Sequence, residues 1–342
     1  MTRSQTQRIT VLGDGGMGTV CAIMLAENGH NVTIWSAFED QAATMAADRE
    51  NKKFLPGCAF PETLSVTADP AEAFDGVDWV MSAIPTQFLR GVWERLAPHY
   101  NGAPICSITK GVELSTLMPP TQILHDVLGD SPLLAVLSGP SIAPEIGRKL
   151  PAYVVVACED LSFAETVQHC IVRPYFRVYT NDDITGVELA GALKNIIALA
   201  AGMIDGLKLG DNTKAGLLTR GLVEITRLGV HLGAKPETFY GLAGVGDLVT
   251  TCTSPEGRNR SFGQLLGEGK TADEALAATN AVVEGVPTTQ SVTALGKKLG
   301  IELPVIETLN AILFEGLCPW DALEMLMNRP PRSEANSTSD DD

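Results

Sequence analysis

Charged residues are scarce in this sequence, and basic residues are scarcer than acidic ones. Of its 342 residues, 19% are charged and 45% are hydrophobic. The 25 lysines and arginines stand against 41 aspartates and glutamates, which leaves a formal net charge of −16. This balance argues against nucleic acid or an anionic membrane surface as a partner. The apolar content excludes wholesale disorder, and the length favours two domains.

Patterns typical of disulfide and zinc sites are also missing. The seven cysteines form no CxxC pair, and the five histidines form no HxxxH or HExxH pattern. This argues against a disulfide scaffold and against a local zinc site, so we expect no bound metal. The apolar run 9–12 near the N-terminus is too short for a signal peptide, and we expect a cytoplasmic protein.

Short β-rich runs alternate with helical patterns up to about residue 181, and helical patterns alone follow. This rhythm predicts an α/β domain over 1–181 with a mostly parallel sheet, then an all-α domain over 182–328. We expect the acidic tail 329–342 to be disordered. The predicted strands are 9–12, 31–35, 79–83, 105–109, 133–137, 153–157 and 177–179. The predicted helices are 17–27, 86–96, 120–128, 161–171, 184–205, 214–232, 235–243, 262–268, 271–279, 288–299 and 304–314.

A glycine-rich loop follows the first predicted strand. Gly13, Gly15 and Gly18 have GxGxxG spacing, and a helical pattern that ends near Glu27 comes next. In a dinucleotide site the first glycine allows a tight turn and the second lets the backbone approach a pyrophosphate. The third lets helix and strand pack closely. The context predicts a dinucleotide site; a glycine-rich turn without a ligand is the alternative.

The end of the second predicted strand does not decide between NAD and NADP. A carboxylate there accepts from the ribose 2′-hydroxyl of NAD, whereas an arginine holds the 2′-phosphate of NADP. Trp35 is followed instead by Ser36 and Ala37, and Glu39 and Asp40 come slightly later. The cofactor preference therefore stays open at this point.

A lysine stands in a helical segment that is apolar on nearly every side. Lys194 lies within 187–204, has no carboxylate three or four residues away, and is six residues from Glu188. A buried ammonium without a partner has a lowered pKa and can exchange protons near neutral pH. The structural alternative is a lysine that reaches solvent or pairs with a distant acid. A membrane span is a minor alternative, because a lysine stands near the centre of the segment.

Two further groups of cations make a phosphate site worth considering. Lys110 follows the predicted strand 105–109, at the carboxyl edge of the sheet where open α/β folds bind ligands. Arg258, Asn259 and Arg260 are expected in a turn between helices, and arginine matches phosphate bidentately. Solvated loop charges are the alternative for each group.

Taken together, these motifs resemble the bacterial NAD(P)-dependent glycerol-3-phosphate dehydrogenase family over about residues 9–326. The matching segments are Val-Leu-Gly-Asp-Gly-Gly-Met-Gly-Thr (11–19), Thr-Lys-Gly (109–111), Ser-Gly-Pro-Ser (138–141), Leu-Lys-Asn (193–195), Gly-Val-Gly-Asp-Leu (244–248), Arg-Asn-Arg (258–260) and Val-Val-Glu-Gly (282–285). The resemblance implies a Rossmann-like domain followed by an all-α substrate domain. It also implies reversible reduction of dihydroxyacetone phosphate to sn-glycerol 3-phosphate, a glycerophospholipid precursor, by NADH or NADPH in a homodimer.

The resemblance also implies roles for individual residues. Lys194 is the implied proton donor and acceptor, with Lys110 stabilising the reacting oxygen and Asp247 orienting a lysine or a substrate hydroxyl. The implied substrate contacts are Lys110, Gly139, Ser141, Lys194, Asp247, Gly257, Arg258 and Asn259. The implied cofactor contacts are Gly13, Gly15, Gly16, Met17, Gly18, Lys110, Ala143, Arg258, Val282 and Glu284.

Some alternatives and departures remain. Asp247 has a structural interpretation as a helix N-cap. Ala37 stands where many family members have Arg or His, and Gly257 replaces the usual serine, so that only its backbone N–H could meet phosphate. The rival functions are a dehydrogenase of the same plan acting on a 3-hydroxy acid or a phosphogluconate, and a nucleotide-binding sensor without chemistry.

The first prediction concerns the cofactor. With no arginine directly after Trp35, we expect NADH to be used at least as well as NADPH, and Ala37→Arg to shift the preference toward NADPH. The ratio of kcat/KM for the two cofactors measures this preference. A wild-type preference for NADPH above about tenfold, or 1.4 kcal/mol, would contradict the prediction.

Overall fold

The chain folds into two compact units. The structure, a computed structural model, describes residues 6–130, 132–279, 282–331 and 333–334. One unit comprises the described residues up to Lys110 together with Met118–Glu188. The other comprises Gly111–Leu117 and the described residues from Leu189 onward. Arg332 and residues 335–342 of the tail predicted to be disordered lie outside the described residues.

The first unit is built on an eight-stranded sheet with the order β3-β2-β1-β4-β5-β6-β7-β8. Strands β1 to β6 are parallel to their neighbours, β7 is antiparallel to β6, and β8 is parallel to β7. This confirms the mostly parallel sheet. The strands are β1 (Arg8–Leu12), β2 (Asn31–Trp35), β3 (Leu64–Thr67), β4 (Trp79–Ser82), β5 (Ile105–Ser107), β6 (Leu134–Ser138), β7 (Ala152–Cys158) and β8 (Phe176–Asn181).

Helices cover both faces of this sheet, as parallel connections require. Helices α1 and α7 contribute to one buried cluster, and α4 and α5 contribute to the other. A 3₁₀ turn, Ala97–His99, follows α4. The helices are α1 (Gly16–Glu27), α2 (Glu39–Asp48), α3 (Pro70–Ala73), α4 (Thr86–Leu96), α5 (Pro120–Leu128), α6 (Ala143–Gly147) and α7 (Leu161–Ile171).

The regular secondary structure in the described residues of the second unit is all helical, which confirms the all-α prediction. It starts within α8, which crosses the division between the units. A 3₁₀ helix, Pro236–Tyr240, and a π-helix, Leu242–Gly246, replace the single helix predicted over 235–243, because Gly241 has extended backbone. The helices are α8 (Ile184–Gly206), α9 (Gly210–His231), α10 (Asp247–Thr253), α11 (Arg258–Gly267), α12 (Ala272–Ala278), α13 (Gly285–Leu299), α14 (Pro304–Phe314) and α15 (Pro319–Met327).

Helices α8 and α11 approach until their backbones nearly touch. A Cβ atom on Gly202 would lie 1.9 Å from the carbonyl oxygen of Arg260, and one on Gly263 would lie 1.9 Å from that of Leu199. Gly206 and Gly267 repeat the same close approach one turn later. Each helix thus uses two glycines four residues apart, a spacing that lets helices pack backbone to backbone.

Two helices receive their N-terminal caps from remote, buried glutamates. Neither α5 nor α14 has a local side-chain cap. Glu188 on α8 instead accepts from the N–H of Thr121 at 2.9 Å and from its hydroxyl at 2.6 Å. Glu224 on α9 accepts from the N–H of Val305 at 2.8 Å and from that of Ile306 at 3.2 Å. A carboxyl group at a helix start satisfies the N–H groups that lack intrahelical partners.

The second prediction concerns pH and stability. Burial raises the pKa of Glu224 from 4.5 to about 7, although the hydrogen bonds from Val305 and Ile306 lower it. Between these values the unfolded chain loses a proton that the folded protein keeps, so this group makes folding less favourable as pH rises from about 4.5 to about 7. We therefore expect the melting temperature of the wild type to fall, relative to Glu224→Gln, by several degrees over that range.

Calorimetry at pH 5, 6, 7 and 8 measures the difference between the two proteins. Glu237→Gln, at an exposed position of the same unit, is the matched control and should keep a constant offset from the wild type. If Glu224→Gln also kept a constant offset, the buried carboxyl group would not hold the proton as described.

Candidate active site

The glycine-rich loop turns sharply between β1 and α1. Gly13 has φ 112°, and a Cβ atom on it would lie 2.9 Å from the carbonyl oxygen of Ala83. A Cβ atom on Gly18 would lie 2.5 Å from the carbonyl oxygen of Gly13. The backbone of the protein therefore requires glycine at both positions, one for the turn and one for the close approach of helix to loop.

Gly15 is different, because the space beside it is open. A Cβ atom on Gly15 would meet nothing within 4 Å. Gly15 is the N-cap of α1, whose first turn has no side-chain cap and no acidic residue. Such a helix start binds anions through its N–H groups. The loop therefore fits the pyrophosphate of a dinucleotide.

Two other residues from the predicted cofactor set lie at this turn. The Cβ atom of Ala143, the first residue of α6, is 3.6 Å from where a Cβ atom on Gly16 would stand. Met17 is partly buried against the core of the unit. These contacts place Ala143 and the start of α1 side by side.

Lys110, Gly139 and Ser141 converge near the carboxyl ends of β5 and β6. The carbonyl oxygen of Gly139 accepts from the Ser141 hydroxyl at 2.9 Å and from Lys110 Nζ at 3.5 Å. Gly139 has φ 132°, and a Cβ atom there would lie 2.9 Å from Cα of Val154. Close packing against β7 therefore explains why glycine stands at this position. The Lys110 ammonium and the Ser141 hydroxyl supply polar groups at the edge of the sheet where such folds bind ligands.

Lys194 is buried in the second unit and is held by two side chains of α10. Its Nζ donates to Asp247 Oδ1 at 2.5 Å and to Thr251 Oγ1 at 2.5 Å. Only 7% of the Lys194 side chain and 2% of the Asp247 side chain are exposed. An ammonium at this depth is tolerated because a carboxylate pairs with it.

This geometry corrects two expectations. The predicted ammonium without a partner is wrong, because Asp247, 53 residues away in sequence, supplies the counter-charge. This is the alternative of a lysine that pairs with a distant acid, and it agrees with the implied role of Asp247 in orienting a lysine. The argument from an unpartnered, desolvated amine therefore does not apply. The N-cap interpretation of Asp247 is also wrong: Asp247 is the first residue of α10, and Gly246 is the N-cap.

Thr251 was not identified from the sequence. Its hydroxyl lies 3.2 Å from Asp247 Oδ1 and accepts from Lys194. The spacing of four residues between Asp247 and Thr251 could have identified it, because residues four apart lie on one face of a helix. The helix itself was missed because Val249, Thr250 and Thr251 are β-branched and have low helix propensity.

Arg258, Asn259 and Arg260 form the first turn of α11, so the predicted turn between helices is wrong. Gly257 is the N-cap, and its carbonyl oxygen accepts from the N–H of Ser261, which starts the helix at this point. The N–H of Gly257 donates to the carbonyl oxygen of Ser254 at 3.2 Å, so it is used within the protein.

The three side chains of this turn point to different partners. Arg258 Nη1 donates to the carbonyl oxygen of Val282 at 3.2 Å. Asn259 is buried, donates to Asn195 Oδ1 at 3.0 Å and accepts from the N–H of Gly285 at 2.9 Å. Arg260 pairs with Asp205 at 2.7 Å. The two arginines therefore do not act as one phosphate clamp, and Arg258 is the exposed member.

The remaining predicted cofactor residue, Glu284, is the N-cap of α13, and its carbonyl oxygen accepts from the N–H of Thr288 at 3.2 Å. Among the described residues, no group of three or more His, Cys, Asp or Glu side chains could hold a metal ion. By length and composition alone, helix α8 could cross a membrane. However, 94% of its 18-residue apolar stretch is buried in the protein.

Comparison with known proteins adds the family. A family model described as NAD-dependent glycerol-3-phosphate dehydrogenase N-terminus matches residues 8–164, and one described as its C-terminus matches residues 183–324. The glycerol-3-phosphate dehydrogenase (NAD(P)+) of Fusobacterium nucleatum is 45% identical over 332 residues, covering 96% of this chain and 99% of that protein. The enzyme of the same name from Geobacillus thermodenitrificans is 46% identical over 334 residues, covering 96% of this chain and 97% of that protein.

A solved structure agrees with these relatives. The crystal structure of glycerol-3-phosphate dehydrogenase from Coxiella burnetii superimposes with a TM-score of 0.91 at 40% identity. The match covers 95% of this chain and 99% of that chain, so it extends through both units.

Proposed function

The chain belongs to the NAD-dependent glycerol-3-phosphate dehydrogenase family, and from this premise we propose the roles of its individual residues. It is an NAD(P)-dependent oxidoreductase that reversibly transfers a hydride between NAD(P)H and dihydroxyacetone phosphate, giving sn-glycerol 3-phosphate. The observation that carries the assignment of roles is the buried cluster of Lys194, Asp247 and Thr251.

Lys194 is the proton donor and acceptor. When bound, the reduced nicotinamide supplies the hydride. Negative charge then develops on the carbonyl oxygen of dihydroxyacetone phosphate, and the Lys194 ammonium donates a proton to it; in reverse, the neutral amine takes the hydroxyl proton. Asp247 and Thr251 fix the position of Nζ, so the amine does not have to be ordered at the moment of reaction.

The glycine-rich loop of the first unit is the proposed site of the pyrophosphate. The open space beside Gly15 and the uncapped start of α1 support the pyrophosphate contact. Ala143 lies beside the start of α1, and Met17 belongs to the first turn of that helix. Both residues are therefore next to the proposed pyrophosphate contact. Arg258, Val282 and Glu284 are cofactor contacts by resemblance, and the hydrogen bond from Arg258 to Val282 brings two of them together.

The proposed substrate contacts are charged and polar groups. Lys110 stabilises the reacting oxygen electrostatically, and the Ser141 hydroxyl and the Gly139 backbone border it. Arg258 binds the phosphate, because it is the exposed arginine of this turn and Arg260 is already paired with Asp205. Asn259 offers the substrate its second amide N–H, since its other groups already bridge α8 and α13.

Three further properties stay predictions. These are a homodimer, a cytoplasmic location and the supply of sn-glycerol 3-phosphate for glycerophospholipid synthesis. The direct test of the reaction is oxidation of NADH on addition of dihydroxyacetone phosphate. A 3-hydroxy acid and a phosphogluconate, offered with the oxidised cofactor, are the control substrates. Activity on either, without activity on dihydroxyacetone phosphate, would overturn the assignment.

The third prediction tests Lys194. Removing a general acid typically lowers the rate by about 10²–10⁴, so we expect Lys194→Ala to lower kcat by that factor. Binding of NADH should be nearly unchanged, because the glycine-rich loop lies in the other unit. Lys194→Arg should not restore activity, since guanidinium is bulkier and stays protonated. Stopped-flow turnover and fluorescence titration of NADH on the same sample give both quantities.

A matched variant separates this role from a structural one. Lys194→Ala leaves Asp247 buried without its lysine, and such a loss destabilises a protein by about 3–5 kcal/mol. Lys214 Nζ, also in the second unit, pairs with both oxygens of Asp205 at 2.8 Å. Lys214→Ala should therefore lower the melting temperature but keep kcat within about threefold of the wild type. A folded Lys194→Ala protein that also turned over within threefold would show that Lys194 is not catalytic.

The fourth prediction tests the phosphate contact. Arg258→Ala removes a charge-assisted contact worth roughly 1.5–3 kcal/mol and should raise KM for dihydroxyacetone phosphate by about tenfold or more. Residual activity on unphosphorylated dihydroxyacetone should hardly change. Arg260→Ala, which breaks the pair with Asp205, is the control: it should lower the melting temperature and leave KM near the wild-type value. Equal losses on both substrates for Arg258→Ala would exclude phosphate binding as its role.

A further inference from the structure

Strand β2 ends without an acidic residue of its own, but the fold brings one to it. Ser36 directly follows Trp35, the last residue of β2, and is fully buried. Its hydroxyl donates to Asp14 Oδ2 at 2.9 Å. Asp14 lies between Gly13 and Gly15 in the glycine-rich loop. A carboxylate oxygen thus stands at the end of β2, although the sequence places it more than twenty residues earlier.

The position of Asp14 is fixed from three sides. The N–H of Gly13 donates to the carbonyl oxygen of Trp35 at 2.9 Å, which joins the loop to the end of β2. The side-chain amide of Asn51, which is fully buried, donates to the carbonyl oxygen of Asp14 at 2.7 Å. Ser36 holds the carboxylate itself. A group held in this way is preorganised and loses little conformational freedom when a ligand binds.

The second carboxylate oxygen is not used within the protein. Asp14 is partly exposed, and its Oδ1 accepts no hydrogen bond from any residue in the described ranges. No lysine or arginine of those ranges pairs with Asp14. The acidic residues that follow β2 closely in sequence are Glu39 and Asp40. Both are exposed on the first turn of α2.

We propose that Asp14, positioned by Ser36, is the residue that selects NAD over NADP. In dinucleotide-binding folds the carboxylate at the end of β2 accepts from the ribose 2′-hydroxyl. Asp14 supplies that acceptor from the loop, while its charge repels the 2′-phosphate of NADP. The assignment rests on the proposed function, because it requires the dinucleotide to bind along the loop.

Equilibrium binding of the two cofactors tests the assignment without relying on turnover. Calorimetric titration of the full-length chain with NADH and with NADPH gives the ratio of their Kd values. We expect the wild type to bind NADH at least tenfold more tightly. Asp14→Ala should reduce that ratio by about tenfold, or 1.4 kcal/mol, through weaker NADH binding and tighter NADPH binding. Asp14→Asn keeps an acceptor without the charge, so it should gain NADPH affinity with little loss of NADH affinity.

Two more variants complete the set. Ser36→Ala should move the ratio in the same direction but less, because Ser36 acts only by positioning Asp14. Glu39→Ala is the matched control, an exposed carboxylate removed close after the same strand, and should leave the ratio within about twofold. Melting temperatures verify that each variant is folded.

The outcomes are distinct. An unchanged ratio in both folded Asp14 variants would overturn the assignment, and so would an equal shift in Glu39→Ala. If the wild type bound NADH but did not oxidise it with dihydroxyacetone phosphate, the proposed function would fail while the measured ratio still decided the role of Asp14. If the wild type bound neither cofactor, both the proposed function and the role of Asp14 would be overturned.

Discussion

The near-contact of the α8 and α11 backbones is the constraint on which the proposed catalytic groups of the helical unit depend. Gly202 and Gly263 leave no room for a side chain at the crossing. With the helices this close, Asn195 on α8 reaches Asn259 on α11 at 3.0 Å. The neighbouring Lys194 is then fixed on the same helix, where α10 meets it with Asp247. A larger side chain at the crossing would separate groups that need placement within a few tenths of an ångström.

The same constraint explains why α8 has the composition of a membrane helix. Glycine and alanine are needed for close approach, and the remaining positions are apolar because the helix is buried on nearly all sides. Its two polar side chains near the centre, Lys194 and Asn195, are both satisfied by partners on other helices. A buried ion pair of this kind contributes little to stability compared with well-packed apolar side chains, which agrees with the chemical role proposed for Lys194.

Sequence patterns predicted the sheet better than the site. Seven of the eight strands were identified. Strand β3 was missed because it is a four-residue edge strand, Leu-Ser-Val-Thr, with only Leu64 fully buried. Helix α2 was missed because its buried stripe consists of Ala42 and Met45 alone. The partner of Lys194 could not be found from local spacing, since Asp247 reaches it only through the tertiary packing of α10. The carboxylate missing after Trp35 was hidden for the same reason, because Asp14 reaches Ser36 through the fold.

The remote cap on α5 has a consequence for dividing the gene. Helix α5 belongs to the first unit, but the carboxyl group at its N-terminus is Glu188, which is made 67 residues after Thr121. A separately expressed nucleotide-binding unit that stopped after β8 would end before Glu188 and leave the first turn of α5 without this acceptor. A fragment that keeps this cap must therefore extend to Glu188 in α8. During translation, likewise, α5 gains this acceptor only after the 67 residues from Thr121 to Glu188 have been made.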